Sequence, residues 1–149
     1  MERSIWNNKG TVIIESNANL NQGFRLANSG LIKFGENFRL SANSTIICDN
    51  EISFGKGCLI SWDCLIMDSD QHNIYSIDNT IGESINKPKK IIIGDGVWIG
   101  CRSTILKGST ICNNCIIAAG TVFTSCAEIE NCIYGSHGKV LKENVIWKF

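Results

Sequence analysis

From Ile93 onward the apolar positions fall in strict blocks of six: Ile93-Gly94-Asp95-Gly96-Val97-Trp98, Ile99-Gly100-Cys101-Arg102-Ser103-Thr104, Ile105-Leu106-Lys107-Gly108-Ser109-Thr110, Ile111-Cys112-Asn113-Asn114-Cys115-Ile116 and Ile117-Ala118-Ala119-Gly120-Thr121-Val122. Every block opens with isoleucine, and its fifth position holds Val97, Ser103, Ser109, Cys115 or Thr121. A helix returns to the same face about every 3.6 residues and a plain strand about every 2, so neither gives a period of six. A short strand followed by a turn does. The opening aliphatic points inward, and the fifth residue, two before the next aliphatic, shares that side. It has to be small because the interior is narrow. Gly, Asn and Asp between them supply the turn.

The same frame opens earlier at Phe34, Leu40 and Ile46, and again at Phe54, Ile60 and Ile66, with a two-residue slip between the groups. Three such sides predict a coil of about 18 residues, stacked on its neighbours at roughly 4.8 Å through main-chain hydrogen bonds. One coil cannot bury its own interior, so stability comes from stacking. The fold class is therefore all-β, a parallel β-helix of six-residue repeats. Ladders such as Ile93 over Ile111 and Ile99 over Ile117 follow, and Cys58, Cys64 and Cys115 become small interior hydrophobes.

The frame stops after Ile66 and resumes at Ile93, which sends about 21 residues out of the coil, an excursion over roughly residues 67–92. It holds Asp68-Ser69-Asp70-Gln71-His72 and Asn86-Lys87-Pro88; the chain's other histidine is His137. Long insertions in a repeat protein collect on one face and carry function. Residues 124–149 lose the frame and predict a C-terminal cap over the open end of the stack. Residues 1–30 predict an N-terminal cap and an incomplete first coil, so 31–123 hold the coils of a single domain.

Composition narrows the function classes. Fourteen basic residues balance fourteen acidic ones, which leaves no electrostatic footprint for nucleic acid or an anionic membrane. No apolar stretch approaches the roughly 20 residues of a membrane span, and no secretory h-region opens the chain, so a cytoplasmic location is expected. Cys112-Asn113-Asn114-Cys115 has no second pair at zinc-ligand spacing, so no metal is expected.

The stretches Ile93–Gly100, Ile105–Gly108 and Ile117–Val122, with the loop motifs above, resemble the bacterial hexapeptide-repeat acetyltransferases of left-handed β-helix fold, most closely the sugar O-acetyltransferases of surface-polysaccharide synthesis. The resemblance covers roughly residues 30–145. It implies transfer of acetyl from acetyl-CoA to a saccharide hydroxyl, in clefts between the subunits of a homotrimer. By the same resemblance His72 is the general base, with a near-neutral imidazole suited to that task, and Asp70 or Asp68 orients it. Trp98 borders the acceptor, and Asp49, Asp63 and Trp62 are further acceptor-side candidates. Gly100, Cys101, Ala119 and Thr124 would line the pantetheine arm, and Lys139 and Lys142 would meet the CoA phosphates. Where the family often ends in G-x-P-A-[KR], this chain reads Gly135-Ser136-His137-Gly138-Lys139, without the proline-alanine pair, and Lys107 stands where a proline is usual.

Three rival readings compete with this one. A carbonic anhydrase on the same fold needs three histidines, and the chain has two. A non-catalytic scaffold subunit would need neither His72 nor Trp98. An amino-sugar N-acetyltransferase differs only in its acceptor.

Overall fold

The computed structural model describes residues 3–79 and 81–148. The chain winds through six coils, each of which contributes one strand to each of three parallel sheets. The coils are β1 (Ile5–Asn8), β2 (Thr11–Ile14) and β3 (Asn19–Leu20); β4 (Arg25–Asn28), β5 (Leu31–Phe34) and β6 (Arg39–Leu40); β7 (Thr45–Cys48), β8 (Glu51–Phe54) and β9 (Leu59–Ile60). They continue with β10 (Leu65–Met67), β11 (Ile91–Ile93) and β12 (Trp98–Ile99); β13 (Thr104–Leu106), β14 (Thr110–Ile111) and β15 (Ile116–Ile117); β16 (Val122–Phe123), β17 (Cys126–Ala127) and β18 (Ile133–Tyr134). Face A is β1-β4-β7-β10-β13-β16, face B is β2-β5-β8-β11-β14-β17, and face C is β3-β6-β9-β12-β15-β18, extended by β19 (Val140–Lys142).

The interior is the one the six-residue frame predicts. Ile93, Ile99, Ile105, Ile111 and Ile117 are buried, and so are the fifth-position residues Val97, Ser103, Ser109, Cys115 and Thr121. Ile93 pairs with Ile111 and Ile99 with Ile117. The buried hydroxyls are satisfied: Ser103 Oγ donates to the Ala118 carbonyl at 3.1 Å, and Ser109 Oγ to that of Phe123 at 3.1 Å. Cys58 and Cys64 are buried, and burial pushes each thiol up to about 11, as an inert interior hydrophobe requires. All eight cysteines are free thiols. One fifth position departs from the small-residue rule. Phe38 is fully buried, with its ring 4.5 Å from that of Phe34 and 4.8 Å from that of Phe54.

Three boundaries differ from the sequence expectation. First, the repeat length is not uniform. On face A the neighbours Leu26, Ile46 and Ile66 step by 20 in chain number, as do Asn8 and Asn28. Later partners such as Thr104 and Val122 step by 18. The two-residue slip is thus no isolated defect. It recurs in each early coil at the edge between faces A and B, where the interior residues Leu26 and Phe34 are eight apart. Asn28 bridges that wider corner: its Oδ1 accepts from Gly30 N–H, and its Nδ2 donates to the Thr11 carbonyl and to Asn8 Oδ1.

Second, residues 5–20 supply all three sides of the first coil, where the sequence predicts an incomplete coil and cap. The longer step of the early coils hides their rhythm from a search at six. Third, β17 and β18 put residues 126–134 inside the sixth coil, so the cap begins later than residue 124. Buried Tyr134 fills that coil, its hydroxyl accepting from the Ile129 N–H and donating to the Ile129 carbonyl. β19 then pairs antiparallel with β18. Beyond it the tail leaves the stack's end and runs back along the B–C edge. Val145 N–H donates to the Asn131 carbonyl, and Trp147 Nε1 to that of Gly96.

The excursion falls where the break in the frame predicts it. β10 ends at Met67 and β11 begins at Ile91, so the chain over 68–90 leaves the coil at the A–B edge. Leu65 nevertheless pairs with Thr104 of the next coil, as if the loop were absent. No helix among the described residues is long and apolar enough to cross a membrane.

Candidate active site

The excursion is tied down at its root. Asp68 is fully buried, and its carboxylate accepts the backbone N–H groups of Asp49 and Asn50, both at 2.8 Å. Its own carbonyl accepts the Lys89 N–H at 2.9 Å, which joins the two ends of the loop. Asn8, Asn28, Cys48 and Asp68 form a column at the inner side of the wide corner, one from each of the first four coils. Asp68 is its last rung. Both carboxylate oxygens are engaged by that corner, so Asp68 does not orient His72.

Asp70 lies two residues before His72 and lines the same small cavity. Its Oδ2 accepts from Lys107 Nζ and from Asn86 Nδ2, and the Lys107 hydrogen bond, then that of Asn86, holds its carboxyl below the ordinary aspartate value. Asn86 also donates to the His72 carbonyl at 2.8 Å and accepts the Ile74 N–H at 2.7 Å. Asp70 therefore acts on the backbone around His72 through Asn86, and among the described residues the imidazole itself has no hydrogen-bond partner. Sequence reasoning gave neither Lys107 nor Asn86 a role here. The signal was available in Lys107, which breaks the usual proline pattern of the repeat.

His72 lines a small cavity with Asp49, Ser69, Asp70, Gln71 and Asn86. Asp49 thus lines the same cavity as His72. Its carboxylate accepts from Ser29 Oγ, Ser69 Oγ and Gln71 Nε2.

A separate groove of about 330 Å³ runs over face C to its edge with face A, lined by Trp62, Trp98, Gly100, Cys101, Ala119 and the neighbouring aliphatics Ile116, Ile117 and Ile133. Trp98, Trp62, Gly100, Cys101 and Ala119 are therefore brought together. At Gly100 a Cβ would lie 2.6 Å from Ala119 N, so only glycine allows the coils to stack there. Trp98 is half-buried; its Nε1 donates to Ser61 Oγ at 2.9 Å, and its ring lies 5.9 Å from that of Trp147. Asp63 sits beside Trp62 and faces Arg102 Nε at 3.8 Å. Lys142 pairs across β19 with Ile133, a groove residue, and Lys139 is exposed just before that strand. Thr124 is not in the groove. It follows β16, on the A–B edge.

The two regions stand on different edges of one prism. His72 leaves between faces A and B, whereas the groove lies on face C and the C–A edge. Among the described residues no cluster of three or more His, Cys, Asp or Glu could hold a metal ion.

A parallel three-sided β-helix of six-residue repeats, with one long excursion, is the architecture of the hexapeptide-repeat transferases, to which the chain is similar. The sequence profile described as bacterial transferase hexapeptide (six repeats) matches residues 90–125. The chain is similar to a polysialic acid O-acetyltransferase of Neisseria meningitidis, 47% identical over 64 residues that cover 43% of this chain and 29% of that protein. It is also similar to a polysialic acid O-acetyltransferase of Escherichia coli O1:K1, 26% identical over 137 residues covering 91% of this chain and 44% of that one. A galactoside acetyltransferase solved in complex with coenzyme A shares the fold, with a TM-score of 0.71 at 23% identity, covering 91% of this chain and 65% of that one. The chain spans less than half the length of the two curated relatives.

Proposed function

We propose that the protein is an acetyl-CoA-dependent O-acetyltransferase that esterifies a saccharide hydroxyl in surface-polysaccharide synthesis, with His72 as general base. The observation that carries the proposal is the groove of small and apolar residues on the C–A edge, with Gly100, Cys101 and Ala119 along one side. Its small lining residues let a pantetheine arm lie close along the coil, and a galactoside acetyltransferase of the same fold is solved with coenzyme A. Lys139 and Lys142 supply point charges for the CoA phosphates at the end of that groove. The two polysialic acid O-acetyltransferase relatives support a glycan acceptor.

In the reaction the acceptor oxygen attacks the thioester carbonyl as its proton passes to the His72 imidazole. A backbone N–H from the groove edge stabilises the oxyanion. Collapse of the tetrahedral intermediate breaks the carbon–sulfur bond, and the imidazolium returns the proton to the leaving CoA thiolate. Asp70, Lys107 and Asn86 position the loop that carries the base. His72 and the groove lie on different edges, which supports a site completed between neighbouring subunits of a homotrimer. A cytoplasmic location, where acetyl-CoA is supplied, belongs to the same proposal.

The test is thermal stabilisation by CoA, which a binder shows by mass action, followed by a screen of free and nucleotide-linked sugars with acetyl-CoA. An alkali-labile acetylated product is expected. No melting shift at millimolar CoA would overturn the transferase reading, and an alkali-stable amide product would move the acceptor to an amino sugar.

A further inference from the structure

β19 already covers the β18 edge, yet the chain runs on from the sixth coil back to the fourth, where capping has no further use for it. Asn144 turns it in the left-handed region at φ +58°. Val145 and Trp147 are then half-buried against the prism, while Ile146 between them is exposed. Trp147 brings the run to face C. Its Nε1 donates to the Gly96 carbonyl at 2.7 Å, and its ring lies 5.9 Å from that of Trp98, inclined at 48°. Trp98 itself belongs to the outward column Leu59, Trp98, Ile116 and Ile133, in register on β9, β12, β15 and β18.

An outward indole on a strand has more than one staggered position open to it. Trp98 is fixed from both sides. Toward the C–A edge its Nε1 donates to Ser61 Oγ, which directs the ring to the groove that it lines. Toward the B–C edge Trp147 stands behind it. A cavity of about 250 Å³ lined by Leu59, Trp98, Trp147 and Lys148 adjoins the pair, so without Trp147 the Trp98 ring has space to swing away from the groove. We propose that Trp147 is a positioning residue: it holds the Trp98 indole at the groove and thereby sets the strength of acceptor binding, without touching substrate. This rests on the saccharide-acetyltransferase reading, in which Trp98 borders the acceptor, and deepens it. The C–H face of a sugar stacks on a ring of fixed plane, and a ring that must first be ordered weakens binding. Trp147 stands off the reacting atoms, so its loss weakens ground state and transition state alike, which raises KM and spares kcat.

The test is the indole proton–nitrogen NMR spectrum of the full chain beside those of Trp147→Ala and Trp147→Phe, with the Trp98 signal identified by its loss in Trp98→Phe. Trp147→Ala should shift that signal and speed solvent exchange of the Trp98 indole N–H by about tenfold, the scale of one lost hydrogen bond. Trp147→Phe keeps a ring behind Trp98 but cannot donate to Gly96, and should leave the signal and its exchange as they are. Transfer is measured from acetyl-CoA to polysialic acid, the acceptor named for the two relatives. Its KM should rise about fivefold in Trp147→Ala, the scale of ordering one side chain on binding, and stay normal in Trp147→Phe. Both variants should keep kcat and the CoA melting shift. An undisturbed Trp98 signal or an unchanged KM in Trp147→Ala would overturn the proposal and leave the tail a structural strap. A Phe variant as disturbed as the Ala one would do the same. If the unmodified protein transfers nothing to polysialic acid, the saccharide reading fails at that acceptor, and the Trp98 signal alone decides whether Trp147 positions the indole.

Discussion

At the scale of single residues, hydrogen-bond partners separate carboxylates that look alike in the sequence. Asp68, Asp70 and Asp49 lie within one short reach of His72 in space or sequence, yet both oxygens of Asp68 accept backbone N–H groups, while Asp70 gives one oxygen, Oδ2, to Lys107 and Asn86. His72 is left exposed in its cavity. His72→Ala should cost at least about 10² in turnover, the scale of a lost general base, while CoA still raises the melting temperature. Near-normal turnover would take His72 out of the reaction. Asp70 makes a different prediction. Its folded-state pKa is depressed below the ordinary 3.8, so its contribution to holding the loop is fully present above that value. It is lost only as pH falls through the lower folded value. Carboxyl NMR should find Asp70 still ionised where an ordinary aspartate is half protonated, and Lys107→Ala should raise it toward the ordinary range, with the Asn86 hydrogen bond left in place; an unchanged titration would remove Lys107 as the cause. The loop histidine was legible in the sequence because it sits where the repeat breaks. The partners of the carboxylates were not, because a buried aspartate and a solvated one are the same letter.

At the scale of elements, the coil length sets what the chain tolerates. Ile99 pairs with Ile117 and Trp98 with Ile116, so deleting Ile99–Ile116 removes one whole coil and keeps every later ladder in register. Deleting only Ile105–Thr110 moves each later strand to the wrong face. Urea melts should show the longer deletion as the milder one, and the reverse order would refute this coil geometry. In the early part of the stack the tolerated unit is instead the longer coil that brings Leu26 beside Ile46. The sequence displayed the six-residue frame from Phe34 onward because hydrophobic side chains mark it. It concealed the opening coils, where Asn28 rather than an aliphatic fills a buried place, and it concealed the tail's route. Trp147 donates its indole N–H to the Gly96 carbonyl and packs against Trp98, contacts between residues far apart in the chain and with no periodic trace.

At the scale of the whole molecule, the prism separates its two candidate halves. If neighbouring subunits join His72 of one to the groove of the next, two inactive variants should rescue each other. His72→Ala mixed with Ala119→Trp, which fills the groove from an exposed position, unfolded and refolded together, should regain acetyl transfer that neither has alone. Light scattering should give a trimer mass for each, and absence of rescue in mixed trimers would place the whole reaction within one subunit. By itself the sequence determined the repeat, the inward ladders, the excursion and the histidine on it, since all of these are written in local periodicity and its interruption. The tertiary structure alone decided which edge each group occupies, which carboxylates are already engaged, and that Asp49 lies beside His72 while Thr124 is apart from the groove. Those outcomes depend on how longer and shorter coils stack, and stacking is a relation between distant residues that no short window of sequence contains.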